Sequence, residues 1–194
     1  SGGHVFALKE INERLARHRE GPTDTSVRVV RLTGAGRAFC AGADLTGGAA
    51  DGALQAANEV VQTIIAMPKP VVAGVHGPAV GVGCPIALAC DLVVAAESAY
   101  FQLAFSRIGL MLDGGASALL PRAVGRARAA RMAMTAEKIS ATTAFEWGMI
   151  SHVVDTGAYE AELDALTSSL AEGPTQSYGW IKKALAAATL SDLQ

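Results

Sequence analysis

Aromatic residues make up only 5% of this 194-residue chain, cysteine occurs three times and histidine four times, and no stretch is dense in lysine or arginine. Each scarcity closes a class of function. Sixteen Lys and Arg against eighteen Asp and Glu leave a formal net charge of -2. The footprint of a phosphate-backbone binder is missing, so nucleic acid is not an expected partner. The longest apolar runs are cut by Gly, Pro or charge short of the roughly 18 to 20 residues a membrane helix needs. No membrane association is expected, and the chain reads as soluble. Its start, "SGGHVFALKEINERLARH", enters an amphipathic helical pattern without the charged lead, apolar core and cleavage site of an export signal. Cys40, Cys84 and Cys90 are odd in number and form no C-x-x-C pair, which suits free thiols in a reducing compartment. The expected location is cytoplasmic. His4, His18, His76 and His152 are scattered without metal-ligand spacing, so no metal site is expected.

What the chain does have is apolar and small residues, 51% hydrophobic with 21 glycines. That is enough to bury the core of one domain. Residues 1–194 read as a single unit, with a core to about residue 155 and a helical tail over 156–194 whose apolar face suits packing on a neighbouring subunit. "VFALKEINERLARH" (5–18) repeats Leu8, Ile11 and Leu15 at helical spacing, "GPTDT" breaks it, and the β-branched run "VRVVRLT" (27–33) predicts a strand. After a glycine-rich loop, a helix is expected from about Ala53 to Ala66, stopped by "MPKP", then a buried strand "VVAGV" (71–75). "GCPIALACD" (83–91) reads as a short buried helix, "LVVAAE" (92–97) as a strand and "AYFQLAF" (99–105) as a strand or turn. Beyond Gly114 the pattern is mainly helical, interrupted by "GMISHVV". Alternation of this kind indicates an α/β fold with buried parallel strands.

The chemistry points to two glycine loops, "TGAGRAFCAGADL" and "GVHGPAVGVGC", each following a strand. Neither is a dinucleotide fingerprint: Phe39 and Ile86 occupy the third glycine position, where bulk obstructs helix–strand packing. Gly81 and Gly83 instead flank Val82 and clear the approach to its backbone N–H at the start of a helix, where negative charge is favoured. That is half of an oxyanion hole. The second donor is expected from "CAGADL". One such donor is typically worth ~2.7 to 4 kcal/mol in the transition state.

In "VRVVRLTGAGRAFCAGADL", "MPKPVVAGVHGPAVGVGC", "ALACDLVVAAESAYFQLAFSRIGL" and "LPRAVGRARA…ISATTAFEWGMISHVV", taken in that order, the chain resembles the crotonase, or enoyl-CoA hydratase/isomerase, superfamily over nearly its whole length. The resemblance implies a crotonase-type spiral of ββα units with C-terminal helices, assembled as homotrimers or hexamers. The implied substrate is an acyl-CoA thioester, with coenzyme A part of the substrate and no separate cofactor. It places the two oxyanion donors at the N–H groups of Ala43 and Val82. Ala41, Gly42, Asp44, Leu45, Gly81, Gly83, Pro85 and Phe105 are expected to line the substrate. Against the family pattern the chain begins at the first helix and ends ahead of the last C-terminal helices, and its loop after Leu45 is short. The two glutamates of the family's hydratases align with Pro85 and Phe105. What remains is Asp113, in "FSRIGLMLDGGASALLPRAVG", which resembles the phenylacetate-pathway enoyl-CoA isomerase branch, in which one aspartate acts alone.

Asp113 has two readings, a proton shuttle or the N-cap of the helix that follows. As a base its carboxylate would gain basicity from an apolar wall, for which Leu110, Met111 and Leu112 are the candidates. Pro85 reads as the first residue of its helix. His76 reads as a hydrogen-bonded structural residue, and Asp44, Asp91 and Glu146 are likewise expected to be structural. Cys84 sits near a helix start, where thiols become acidic, yet no Cys/His pair and no G-x-S-x-G elbow support a hydrolase. Three functions stay open: enoyl-CoA double-bond isomerase, hydratase or another crotonase reaction, and a non-catalytic acyl-CoA-binding subunit.

Overall fold

The computed structural model describes residues 26–42 and 50–190, with the backbone alone at 50–54. The expected helix over 5–18 lies outside them, as do Ala43, Asp44 and Leu45. In chain order the elements are β1 (Val30–Thr33), α1 (Ala50–Ala66), β2 (Val71–Val75), β3 (Pro78–Val80), α2 (Gly83–Ala89), β4 (Leu92–Ala96), β5 (Tyr100–Gln102), a 3-10 turn (Phe105–Ile108) and α3 (Ala116–Thr135). Then come β6 (Ile139–Ser140), α4 (Ala141–Glu146), β7 (His152–Val154), α5 (Tyr159–Glu172) and α6 (Thr175–Thr189).

A parallel four-stranded sheet runs in the order β1-β2-β4-β7, and a smaller one in the order β3-β5-β6, with β5 and β6 antiparallel. Cys40 extends the smaller sheet through a parallel bridge to Ala79. The chain therefore lays one extended segment in each sheet and then a helix, three times over: β1, Cys40, α1; β2, β3, α2; β4, β5, α3. This is the ββα spiral that the resemblance implies. No helix among the described residues is long and apolar enough to cross a membrane.

Parallel strands need cover on both faces, and the period of two supplies it. Val71, Ala73, Val75, Val93 and Ala95 point into the main core with Val60, Val61 and Ile64 of α1 and most of α2. Val72, Val94 and Ala96 point the other way, onto Tyr159 and Leu163 of α5. Each of these valines and leucines contributes about 1.5 to 3 kcal/mol relative to an exposed position. Gly74 lets α5 come close, because a Cβ there would lie 2.4 Å from both Leu163 Cδ2 and Tyr159 Oη. The first helix of the expected tail thus covers the chain's own sheet. α6 leaves Trp180, Ile181 and Leu185 at 69%, 52% and 61% exposure.

Several boundaries differ from expectation. The strand foreseen over 27–33 starts at Val30, because its ladder partner β2 begins only after Pro70, which has no N–H to extend the pairing. The Pro70 carbonyl instead accepts the Val30 N–H at 2.9 Å. β3 was hidden inside the second glycine loop, and β6 is two residues long; both exist through partners distant in sequence. The stretch 99–105 resolves into strand β5 followed by the 3-10 turn. α3 begins at Ala116 and breaks at Gly125, where φ is 79° and ψ 159°.

The C-terminal helix is tied to the sheet by charge. Lys182, 8% exposed, donates from Nζ to Asp91 Oδ2 at 2.7 Å, and that oxygen also accepts the Val71 N–H at 2.7 Å. Burial pushes the Asp91 carboxyl above its ordinary value, against the pull of Lys182 and the backbone donors. Removing one partner of such a pair strands the other. Lys182→Met is expected to lower the unfolding free energy by about 2 kcal/mol or more in urea, with part of the loss restored by adding Asp91→Asn. Because the folded carboxyl titrates above the unfolded one, stability from this group falls as pH rises through that interval. The variant should steepen that fall.

Candidate active site

The second sheet brings the two glycine loops together. Cys40 is paired on both sides, its N–H donating to Pro78 O at 3.0 Å and its carbonyl accepting from Val80 N–H at 2.8 Å. This register sets Gly42 (φ 103°) against Gly81 (φ 57°), where a Cβ on Gly81 would lie 3.5 Å from Gly42 Cα. One step further, a Cβ on Gly83 would lie 2.6 Å from Cys40 Cβ and 2.8 Å from its carbonyl oxygen. The Gly81 N–H is held by Gln102 O at 2.9 Å. Val82 is 4% exposed, and among the described residues nothing accepts its N–H. Its carbonyl already takes the first helical bond of α2, from Ile86 at 3.2 Å. A buried donor without an acceptor is uncommon and marks a place for a ligand oxygen.

Pro85 is the third residue of α2, not the first as expected, since the cap is Val82 and the helix opens at Gly83. The reason it is tolerated holds all the same: no first-turn N–H has an intrahelical acceptor. Asp113 does not cap α3. The cap is Gly115 (φ 72°), no side chain bonds that helix end, and Ala118 and Leu119 donate to the Gly115 carbonyl at 3.0 and 2.9 Å. Asp113 is half-buried, and among the described residues its Oδ1 accepts the N–H of Gly114 alone. Burial raises its carboxyl above the usual range, and the Gly114 N–H only partly offsets this.

The expected wall beside Asp113 is corrected as well. Leu110 and Met111 are 50% and 82% exposed, and only Leu112 packs onto the core. The apolar contact nearest the Asp113 turn comes from the other loop: a Cβ on Gly114 would lie 3.2 Å from Pro85 Cγ and 3.9 Å from Ala57 Cβ. Asp113 is thus one residue away from a contact with α2, whose capping residue carries the free N–H.

The remaining candidates fall into place around this centre. Ala41 is exposed, and Gly42, Gly81, Gly83 and Pro85 are buried at the junction. Phe105 is buried in the main core at the start of the 3-10 turn. His76 is structural, its Nε2 bonded to Gly36 O at 2.9 Å and its ring beside Tyr159. Asp91 is structural, as described, and Glu146 is exposed. Cys84 is the reverse of acidic: complete burial pushes its thiol up to about 12. Among the described residues no cluster of His, Cys, Asp and Glu is arranged to hold a metal ion. What sequence reasoning missed is Cys40 as a strand residue and the Pro85–Gly114 contact. The first carried a faint signal, the β-capable pair Phe39-Cys40 inside the first glycine loop; the second carried none.

A ββα spiral with paired glycine loops at one end of its smaller sheet is an α/β architecture, and comparison with known proteins gives its family. The family model for enoyl-CoA hydratase/isomerase matches residues 6–194. The 1,2-epoxyphenylacetyl-CoA isomerase of Escherichia coli (strain K12) is 43% identical over 180 residues, 88% of this chain and 69% of that protein. The 2,3-dehydroadipyl-CoA hydratase of the same organism is 39% identical over 154 residues, 77% of this chain and 59% of that protein. A crystal structure of an enoyl-CoA hydratase from Mycobacterium avium subsp. paratuberculosis K-10 superposes with a TM-score of 0.91 at 44% identity, covering 97% of this chain and 77% of that one. The chain belongs to the enoyl-CoA hydratase/isomerase, or crotonase, family.

The loop junction leaves no room for a methyl group. Gly83→Ala is expected to force Cys40 and α2 apart and to lower the unfolding free energy by about 1 to 3 kcal/mol, read by chemical denaturation. Affinity for an acyl-CoA should fall with it in calorimetry.

Proposed function

We propose that this protein is an enoyl-CoA double-bond isomerase in which Asp113 moves the proton and the N–H groups of Val82 and Ala43 hold the thioester oxygen. The observation that carries the reading is Asp113 itself: a half-buried carboxylate, raised by desolvation, without a side-chain partner among the described residues and adjacent to Gly114, which packs on Pro85 of α2. Positions 85 and 105, a proline and a phenylalanine, have no ionisable group. Adding water to a double bond usually needs an acid and a base together, whereas shifting the bond needs one group that takes a proton and returns it.

In this reading the thioester oxygen accepts both backbone N–H groups, which stabilises negative charge there by ~2.7 to 4 kcal/mol per donor. Asp113 removes a proton from Cα of a 3-enoyl-CoA, and the C–H electron pair moves into the carbonyl, giving a dienolate. The protonated Asp113 then delivers the proton to Cγ, the charge returns from oxygen, and the double bond lies between Cα and Cβ. No atom is gained or lost. The isomerase named above supports this choice; the hydratase named beside it favours hydration, and labelled water separates the two. Coenzyme A enters only as part of the substrate. Assembly as a trimer or hexamer is proposed on the family resemblance, with the exposed apolar residues of α6 as the surface available for it.

Asp113→Asn keeps the shape and removes the base. It is expected to lower 3-enoyl-CoA isomerisation by at least ~10²-fold, while wild-type protein incorporates labelled water oxygen into 2-enoyl-CoA far more slowly than it isomerises. Rates rivalling isomerisation would establish hydration instead, and tight acyl-CoA binding without turnover on any substrate would establish a binding subunit.

The pH dependence follows from the direction of the shift. The base must be ionised, so kcat/KM should rise with pH through a value above the ordinary aspartate pKa of about 3.9. The folded carboxyl titrates above the unfolded one, so its ionisation destabilises the fold as pH rises through that interval. Asp113→Asn escapes that loss and should unfold at the same or a slightly higher temperature at neutral pH in calorimetry.

A further inference from the structure

Pro85 and the turn after Asp113 are in contact across the site. A Cβ on Gly114 would lie 3.2 Å from Pro85 Cγ and 3.8 Å from Pro85 Cβ, so the ring lies directly against the Gly114 backbone. Both residues are buried. Gly114 and Gly115 adopt φ 60° and 72°, and the Ala116 N–H donates to Asp113 O at 3.1 Å, which closes a tight turn around the aspartate. On the other side, Pro85 stands in the first turn of α2, three residues after Val82, where its missing N–H removes no helical bond. A proline ring has a fixed φ and almost no side-chain freedom. It is a rigid spacer between the helix start that carries the free donor and the turn that carries the carboxylate.

We propose that Pro85 is the positioning residue for Asp113: its ring sets the separation between the Val82 N–H and the carboxylate, and so determines whether Asp113 reaches the substrate carbon while the thioester oxygen is held. This rests on the reading of Asp113 as the proton shuttle. Proton transfer demands this control, because a displacement of about 1 Å in a reacting group can cost ~10²-fold in rate. Substrate binding, by contrast, depends on the loops themselves and tolerates such a shift.

The test uses Pro85→Ala, which suits a helical first turn and removes two ring carbons, and Pro85→Val, which refills most of that volume. For Pro85→Ala the expected result is a fall in isomerisation kcat of about 10-fold or more with KM within about 3-fold. The infrared carbonyl stretch of a bound thioester, labelled with carbon-13 at the carbonyl, should stay at its wild-type position, because the backbone donor has not moved. Pro85→Val should recover kcat to within about 3-fold of wild type. Wild-type kcat in Pro85→Ala, or equal losses in the two variants, would overturn the proposal. So would a carbonyl stretch displaced together with kcat, which would make Pro85 a support of the oxyanion hole instead. Asp113→Asn separates the layers: full activity there removes the proton-shuttle reading itself, whereas an inactive Asp113→Asn beside a fully active Pro85→Ala removes only the role given to Pro85.

Discussion

The backbone pairing of Cys40 is the constraint on which the site depends. The segment between β1 and α1 is rich in glycine and alanine and has little side-chain material with which to hold a shape. Two hydrogen bonds, to Pro78 and from Val80, convert one residue of it into a strand of the smaller sheet. From that register follow the approach of Gly42 to Gly81 and the contact of Gly83 with Cys40, on either side of Val82. Main-chain bonds suit this purpose, because they leave the glycine positions bare for a ligand while fixing the backbone that must meet it.

The same fold treats two aspartates in opposite ways, and the contrast shows where chemistry is possible. Asp91 and Asp113 are both raised by burial. Asp91 is answered by Lys182 and the Val71 N–H, so it ties α6 to the sheet and has no capacity left for a reaction. Asp113 has a single local donor, the N–H of the next residue. Partial burial of that carboxylate, with one backbone donor to offset it, disfavours its charged form. That raised carboxyl, set between a core-packed leucine and two glycines, is the feature on which the proposed proton shuttle rests.

Pro85 links the two halves of this arrangement. The position that the resemblance aligns with a hydratase glutamate is filled by a proline ring, and the turn bearing Asp113 packs against it through Gly114. Ala57 of α1 and Pro85 of α2 pack against the Gly114 backbone next to the aspartate, while Leu110 and Met111 are exposed.

Much of this was legible in the chain. The β-branched run "VVAGV", the helical spacing of Ala57, Val60, Val61 and Ile64, and the order of glycine loops are local patterns, and local sterics and burial preference decide them. They determined the α/β class and β2 to the residue. The family motifs pointed to Asp113. What only tertiary structure decided are the features whose cause lies far away in sequence. β3 and β6 are too short to have a periodicity and exist because β5 offers them partners. The start of β1 is set by Pro70, some 40 residues on. That Asp113 does not cap its helix was decided by Gly115 taking the cap, in a turn packed on Pro85 and Ala57 through Gly114. A residue's neighbours along the chain determine its backbone preference. Its neighbours across the fold determine whether its charge is solvated, paired or free to act.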